Sequence, residues 1–157
     1  MSNFSLPLTT LVHENLSIVM DFCFSRNPIE QLVNTKFQGE WKYFRKALFS
    51  VSEQRVGKAV LELALFMRIL DDRDNITEYL NQTNTWNFGR FVIEGKPDKT
   101  MKMRDVANKI IHSSTLEWNT ANLEKPILVC ISQEKEKWLR AEVDVVTLAA
   151  FCGGLIS

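Results

Sequence analysis

The 157-residue sequence has no net charge, because its 19 Lys and Arg residues balance its 19 Asp and Glu residues. A neutral chain lacks the positive field that draws proteins to nucleic acid without regard to sequence. Nucleic-acid binding is therefore less favoured, and it would need a local basic patch.

The sequence also lacks paired metal-ligand motifs. Its three cysteines, Cys23, Cys130 and Cys152, are far apart, form no CxxC pair and have no histidine close to them in sequence. This pattern gives no support for structural zinc. Each cysteine stands in an apolar run, so we expect three buried free thiols in a reducing compartment.

Long hydrophobic runs are missing as well. The apolar stretch 61–70 contains Glu62 and Arg68 and is too short to span a bilayer. The first residues show no basic region followed by an apolar run, so no secretory signal is predicted. The glycine framework of a phosphate-binding loop is absent around Lys96 and Thr100. We therefore expect a cytoplasmic protein with no membrane contact, no metal and no cofactor.

Apolar residues at helical spacing predict a mainly α protein. One helix is predicted over residues 9–24, and a second begins at Pro28 with Asn27 as its cap. The strongest helix is predicted from Ser52 to about Leu70, and it should be central because apolar residues surround much of it. Its expected core stripe comprises Val56, Ala59, Val60, Leu63, Ala64, Met67 and Leu70. The stripe is expected to be widened by Leu61, Leu65, Phe66 and Ile69.

Acidic residues follow this helix in the run 71–74. The run is expected to form a solvated helix end, since its spacing matches no calcium-binding loop. A metal site there is the alternative interpretation.

Near the C-terminus the pattern changes to an alternation of every second residue. Residues 127–132 and 138–143 are predicted to pair as a hairpin. Asp144 is predicted to cap a last helix, 145–151, which Gly153 and Gly154 should end. The predicted fold is a helical bundle of a single domain, residues 1–157, with a small C-terminal β-hairpin and a final short helix. The β appendage is placed at about residues 115–143.

The segment 103–112 predicts an amphipathic helix with Arg104, Asp105, Asn108 and His112 on its polar side. At 100° per residue, the last three fall within roughly 60° of one another, and Arg104 lies at their edge. An imidazole can move protons near neutral pH, and an arginine can bind phosphate. With an asparagine to orient the imidazole, such a group would suit metal-independent cleavage of RNA.

The same four residues also have a structural interpretation. His112 stands where the helix should end, where its side chain can bind the last carbonyls and favour the helix dipole. Arg104 and Asp105 would then be ordinary surface charges, and Asn108 would fix a neighbouring loop.

The segment 104–112 resembles that of an uncharacterised group of bacterial proteins with an Asn-x-Ile-Ile-His helix. It also resembles the HEPN superfamily, compact helical proteins that often act in RNA cleavage, defence and toxin–antitoxin systems. Asn108 and His112 match the polar residue and the histidine of that superfamily, while Ala107 stands where its arginine would fit.

This resemblance implies a homodimeric endoribonuclease with its site between two subunits. His112 and Asn108 would be its catalytic residues, with Arg104 and Asp105 as further candidates and RNA as the substrate. The alternative is a noncatalytic protein-interaction module, such as a partner or neutralising protein in a bacterial defence locus. In that module Asn108 and His112 would be structural.

Overall fold

The computed structural model describes residues 8–37, 39, 43–83 and 86–155, in which helices and one antiparallel sheet alternate along the chain. The helices are α1 (Leu8–Lys36), α2 (Tyr43–Arg45), a π-helical segment (Lys46–Ser50), α3 (Val51–Asp74), α4 (Ile76–Thr83), α5 (Met103–Ile111) and α6 (Val145–Leu155). The strands are β1 (Gly89–Val92), β2 (Lys99–Thr100), β3 (Ser113–Asn119), β4 (Ile127–Ser132) and β5 (Arg140–Asp144). The chain is therefore mainly helical, as predicted.

Helix α1 is one continuous helix, so the predicted break before Pro28 is wrong. Pro28 lies inside the helix, where it has no N–H to donate to the preceding turn. Buried Val19 and Val33 stand on either side of Pro28, and this packing offsets the lost hydrogen bond. Asn27, the predicted cap, instead donates its side-chain N–H to the Thr120 carbonyl over 2.6 Å.

Helix α3 has the predicted core stripe, and all seven of its residues are buried. Helix α3 begins at Val51, one residue before the predicted Ser52, and the π-helical segment runs directly into it. The Ser52 hydroxyl donates to the Leu48 carbonyl of the preceding turn over 2.6 Å. Leu61, Leu65 and Ile69 are exposed, so the core stripe is narrower than predicted. The sequence 41–49 also predicts an amphipathic segment, and its first two residues, Trp41 and Lys42, lie outside the described residues.

The predicted hairpin exists as β4 and β5, but it is the centre of a larger sheet rather than an isolated appendage. The sheet has five strands in the order β2-β1-β5-β4-β3, and every pair is antiparallel. Its strands begin at Gly89, well before the predicted 115–143 region. The sequence pattern predicts the β4–β5 hairpin because these strands follow one another in the chain. The pairing of β1 with β5 joins segments far apart in sequence, so no local pattern predicts it.

The sheet has one covered and one open face. Leu128, Cys130, Ala141 and Val143 point to the covered face and are fully buried. They belong to one hydrophobic core together with residues of α1, α3, α5 and α6. The architecture is therefore a set of packed helices against one face of a sheet, so the predicted bundle is matched only in part. The assignment of residues 1–157 to a single domain stays a prediction.

Helix α6 begins where predicted but continues through Gly153 and Gly154. The Asp144 carboxylate accepts a hydrogen bond from the Thr147 N–H over 3.2 Å, which confirms the predicted cap. Buried Leu148 and Phe151 hold the helix against the core. This packing outweighs the cost of glycine in a helix, roughly 1 kcal/mol per residue relative to alanine.

Candidate functional site

Helix α5 forms as the sequence predicts, with its apolar side buried against α3 and the sheet. Met103, Val106, Ala107 and Ile110 are buried. At the start of the helix, the Lys102 N–H donates to the Asp105 carboxylate over 2.9 Å. Asp105 therefore binds a backbone N–H that would otherwise be free at the helix start.

Arg104 is engaged by two carboxylates of α3. Its Nη1 donates to Asp72 Oδ1 over 2.7 Å and to Asp71 Oδ2 over 3.0 Å. The hydrogen bond from Arg104 lowers the pKa of Asp72, and the reciprocal contact raises the pKa of Arg104. The guanidinium charge is thus already balanced within the fold.

Residues 72–74 form the predicted solvated end of α3, but Asp71 departs from that prediction. It is 7% exposed, and its carboxylate also accepts hydrogen bonds from the N–H and the hydroxyl of Thr77, over 2.7 and 2.9 Å. Asn75 ends α3 in the left-handed conformation, with its N–H bonded to the Asp71 carbonyl. Asp71 therefore joins α3, α4 and α5. Within the described ranges, no three His, Cys, Asp or Glu side chains form a metal-binding group.

His112 is the residue that follows α5, and it is exposed. Among the residues described, neither its imidazole nor the Asn108 amide hydrogen-bonds to a protein group. The hydroxyl of Ser113, rather than His112, donates to the Ile110 carbonyl over 2.7 Å. The His112 carbonyl accepts a hydrogen bond from the Gln133 N–H over 3.2 Å. His112 therefore contributes to the end of the helix through its backbone.

The structure separates the predicted site residues rather than gathering them. Arg104 and His112 stand eight positions apart, which is about 12 Å along a helix axis. Arg104 turns to α3 and Asp105 caps the start of α5, which leaves Asn108 and His112 near the other end. Among the described residues, no titratable side chain hydrogen-bonds to the His112 imidazole.

Lys109 is an α5 residue whose contacts the sequence does not predict. Its Nζ lies 4.3 Å from the centre of the Phe91 ring and 4.6 Å from that of Trp138. Burial lowers the pKa of Lys109, and the charges of Asp105 and Glu134 partly oppose that shift. Such cation–π contacts hold α5 to the sheet. Because β1 and Trp138 are distant in sequence from Lys109, no local sequence pattern predicts these contacts.

A cavity of about 200 Å³ lies between α1 and the start of α3. The Arg26 guanidinium carbon lies 4.6 Å from the centre of the Phe49 ring and 5.4 Å from that of Phe22. Its Nη2 forms an ion pair of 2.6 Å with Glu53. The cavity is walled mainly by Ile18, Phe22, Ile29, Leu48 and Phe49. The Arg26 guanidinium therefore lies over two aromatic rings, and the Glu53 carboxylate balances its charge.

The open face of the sheet carries charges that are paired with one another. Arg90 contacts Glu142 over 2.6 Å and Asp98 over 2.9 Å. Lys125 stands 3.8 Å from Asp144. Between these pairs and β3 runs a half-buried apolar column of Ile127, Val129 and Ile131 on β4. This face is amphipathic and has no excess of positive charge.

Comparison of the chain with models of known protein families, with curated proteins and with solved structures gives no match. Within the described part of the chain, no helix combines the length and hydrophobicity needed to cross a bilayer.

Proposed function

We propose that this protein is a noncatalytic protein-interaction module in which Arg104 and Asp105 of α5 stabilise the fold. The observation that carries the proposal is the engagement of Arg104 by Asp71 and Asp72. A phosphate-binding arginine needs free donors and an unbalanced charge. The Arg104 charge is already balanced by the two carboxylates, and both of its hydrogen bonds come from Nη1. A phosphate would therefore have to compete with Asp71 and Asp72 for this guanidinium.

The isolation of His112 supports the same proposal. General acid–base catalysis by histidine is favoured by an imidazole that a partner group holds in place within reach of the reacting atoms. The His112 imidazole is exposed and has no such partner among the described residues.

The charges of the open sheet face favour a protein as the partner. Binding to an RNA backbone depends on unpaired Lys and Arg side chains, which release counterions from the phosphates. Arg90 and Lys125 lie instead beside carboxylates. A face with balanced charges around a central apolar column has the composition of a protein–protein contact surface.

An RNA-cleavage assay tests this proposal. Purified protein is incubated with labelled single-stranded RNA in the presence of EDTA, beside the variants His112→Ala and Asn108→Ala. We expect no cleavage by any of the three proteins. Metal-independent cutting by the wild type that His112→Ala abolishes would overturn the proposal and support the ribonuclease prediction, which otherwise stays a prediction.

Thermal melting supplies the matched structural control. Ser113→Ala removes the hydroxyl bonded to the Ile110 carbonyl, so we expect a loss of about 1 kcal/mol of folding free energy. His112→Ala removes no side-chain contact and should leave the melting temperature almost unchanged. Unchanged stability in His112→Ala also ensures that a lost activity cannot be attributed to unfolding.

A further inference from the structure

The outward face of α3 carries a row of exposed apolar side chains. Leu61, Leu65 and Ile69 follow one another at intervals of four residues and are 41%, 44% and 48% exposed. At about 100° per residue, Leu65 lies about 180° from the buried Val56, so the row faces away from the core. Leu61 and Ile69 lie about 40° to either side of Leu65.

Four charged side chains flank this row at matching distances from Leu65. Lys58 and Asp72 stand seven residues before and after it, and Glu62 and Arg68 stand three residues before and after it. The first two lie within about 20° of Leu65 around the helix, and the other two within about 60°. Each charged residue before Leu65 therefore has an oppositely charged counterpart at the same distance after it.

We propose that two copies of this chain associate through their α3 helices, which lie antiparallel about a two-fold axis beside Leu65. The rotation brings Leu65 to its own counterpart and brings Leu61 level with Ile69 of the second copy. The apolar rows of the two copies thus cover each other, and one helix supplies both halves of a complementary pair, as an isologous interface requires. This inference goes beyond the proposed function and does not rest on it.

The same rotation pairs the charges, which identifies a second copy as the occupant of this face. Lys58 comes level with Asp72 of the second copy, and Glu62 comes level with its Arg68, so each pair occurs twice. The Lys58 and Asp72 side chains are 79% and 64% exposed, although each also has an ion pair within its own chain. A crossing angle of about 20° keeps side chains seven positions from the axis close to one another.

The charges also select this register over its neighbours. An axis two residues before Leu65 would bring Lys58 level with Arg68 of the second copy. An axis two residues after Leu65 would bring Glu62 level with Asp72. Both arrangements set like charges together, which is destabilising. Two parallel α3 helices would set every charged residue level with its own counterpart, so the antiparallel arrangement is favoured over the parallel one as well.

An axis one helical turn away fails because apolar side chains then meet charges. An axis at Leu61 would bring Ile69 level with Glu53 of the second copy. An axis at Ile69 would bring Leu65 level with Arg73. Only the axis at Leu65 keeps the three apolar residues of each copy against those of the other.

Analytical ultracentrifugation from micromolar to millimolar concentrations tests the pairing of Glu62 with Arg68. Glu62→Arg and Arg68→Glu each set like charges level with each other, twice per dimer, and each should raise the dissociation constant about 2- to 30-fold. The double variant restores opposite charges and should return the constant close to the wild-type value. Because about 9 Å of helix rise separates Glu62 from Arg68, they are not neighbours within one copy, and this recovery requires a second copy.

Glu94→Arg and Lys96→Glu are matched controls. They make the same changes of net charge at exposed positions between β1 and β2, and we expect both to leave the dissociation constant unchanged. Leu65→Lys sets two ammonium groups together at the axis and should give a monomer. Because Leu65 is exposed and lysine is a good helix former, this variant should keep the wild-type circular dichroism spectrum.

Two results would overturn the inference. One is a wild-type chain that stays monomeric throughout the concentration range, including a monomer whose α3 face binds a different protein. The other is a dimer that Leu65→Lys leaves intact, or one in which the double variant of Glu62 and Arg68 does not recover the affinity that each single variant loses. Loss in both single variants, recovery in the double variant and no response at Glu94 or Lys96 would support it.

Discussion

Arg104 of α5 and Asp71 of α3 are joined by a hydrogen-bonded ion pair of 3.0 Å across 33 positions of sequence. The pair links the first turn of α5 to the last turn of α3. Asp71 is buried and also binds Thr77 at the start of α4. A residue that the sequence offered as a phosphate ligand is therefore part of a junction between three helices.

Replacement of Asp71 should destabilise the protein more than replacement of its neighbour. Asp71→Ala leaves the Thr77 N–H and part of the Arg104 guanidinium without an acceptor, and we expect a loss of about 2–4 kcal/mol. Asp72→Ala removes an exposed carboxylate and should have a far smaller effect. Urea denaturation at neutral pH measures both variants, and equal losses would contradict the central role given to Asp71.

The pKa of Asp72 should reveal its contact with Arg104. The hydrogen bond from Arg104 lowers this pKa below its ordinary value of 3.8. A carboxylate with a lowered folded-state pKa stabilises the fold above pH 3.8, and this contribution is lost as the pH falls through the lowered value. In Arg104→Gln, an NMR titration of the Asp72 carboxyl should give a midpoint nearer 3.8. An unchanged midpoint would mean that the pair does not persist in solution.

Gly89 should tolerate no side chain. Its φ is +129°, and a Cβ atom there would lie 1.9 Å from the Glu142 carbonyl oxygen. Gly89→Ala must push β1 away from β5, so we expect a loss of about 2–4 kcal/mol.

Gly57 is the matched control for Gly89. It stands in α3 with open space where a Cβ would be. Gly57→Ala should stabilise the protein by about 0.5–1 kcal/mol, because alanine is the better helix former. Chemical denaturation of both variants checks the expected opposite signs.

The three cysteine thiols should be inert in the native protein. Burial raises the pKa of each thiol, at Cys23, Cys130 and Cys152, to about 12. Because the thiolate is the reactive form, a thiol reagent at pH 8 should modify none of them until the chain unfolds. Labelling with and without urea, followed by mass spectrometry, counts the modified residues. Rapid labelling without urea would place at least one thiol at the surface.

Local patterns predicted the parts of the fold whose partners are close in sequence. The core stripe of α3, the start and end of α5 and the β4–β5 hairpin follow from periodicity and turn chemistry. Pro28 and Gly153 predict helix boundaries, but the packing of buried neighbours lets both helices continue past these residues. A proline or glycine inside a helix costs roughly 1–3 kcal/mol, and burial of a long apolar face outweighs that cost.

The candidate site was less predictable than the fold. Spacing placed Asp105, Asn108 and His112 on one side of a helix, but it gave no information on what faces that side. The acceptors of Arg104 lie on α3, and the rings under Lys109 lie on β1 and at residue 138. These contacts are set by tertiary packing, which a ten-residue motif does not encode.

The pairing of β1 with β5 joins segments about 50 positions apart in the chain, since Gly89 stands opposite Val143. During synthesis, β1 has no sheet neighbour except the two-residue β2 until β5 has left the ribosome. The covered face of the sheet and the contact of α6 with α1 also form only after β5 and α6 have been synthesised. A nascent chain shortened before β5 would therefore expose the core-facing sides of α1 and α3, and it would be a substrate for chaperones rather than a partly working protein.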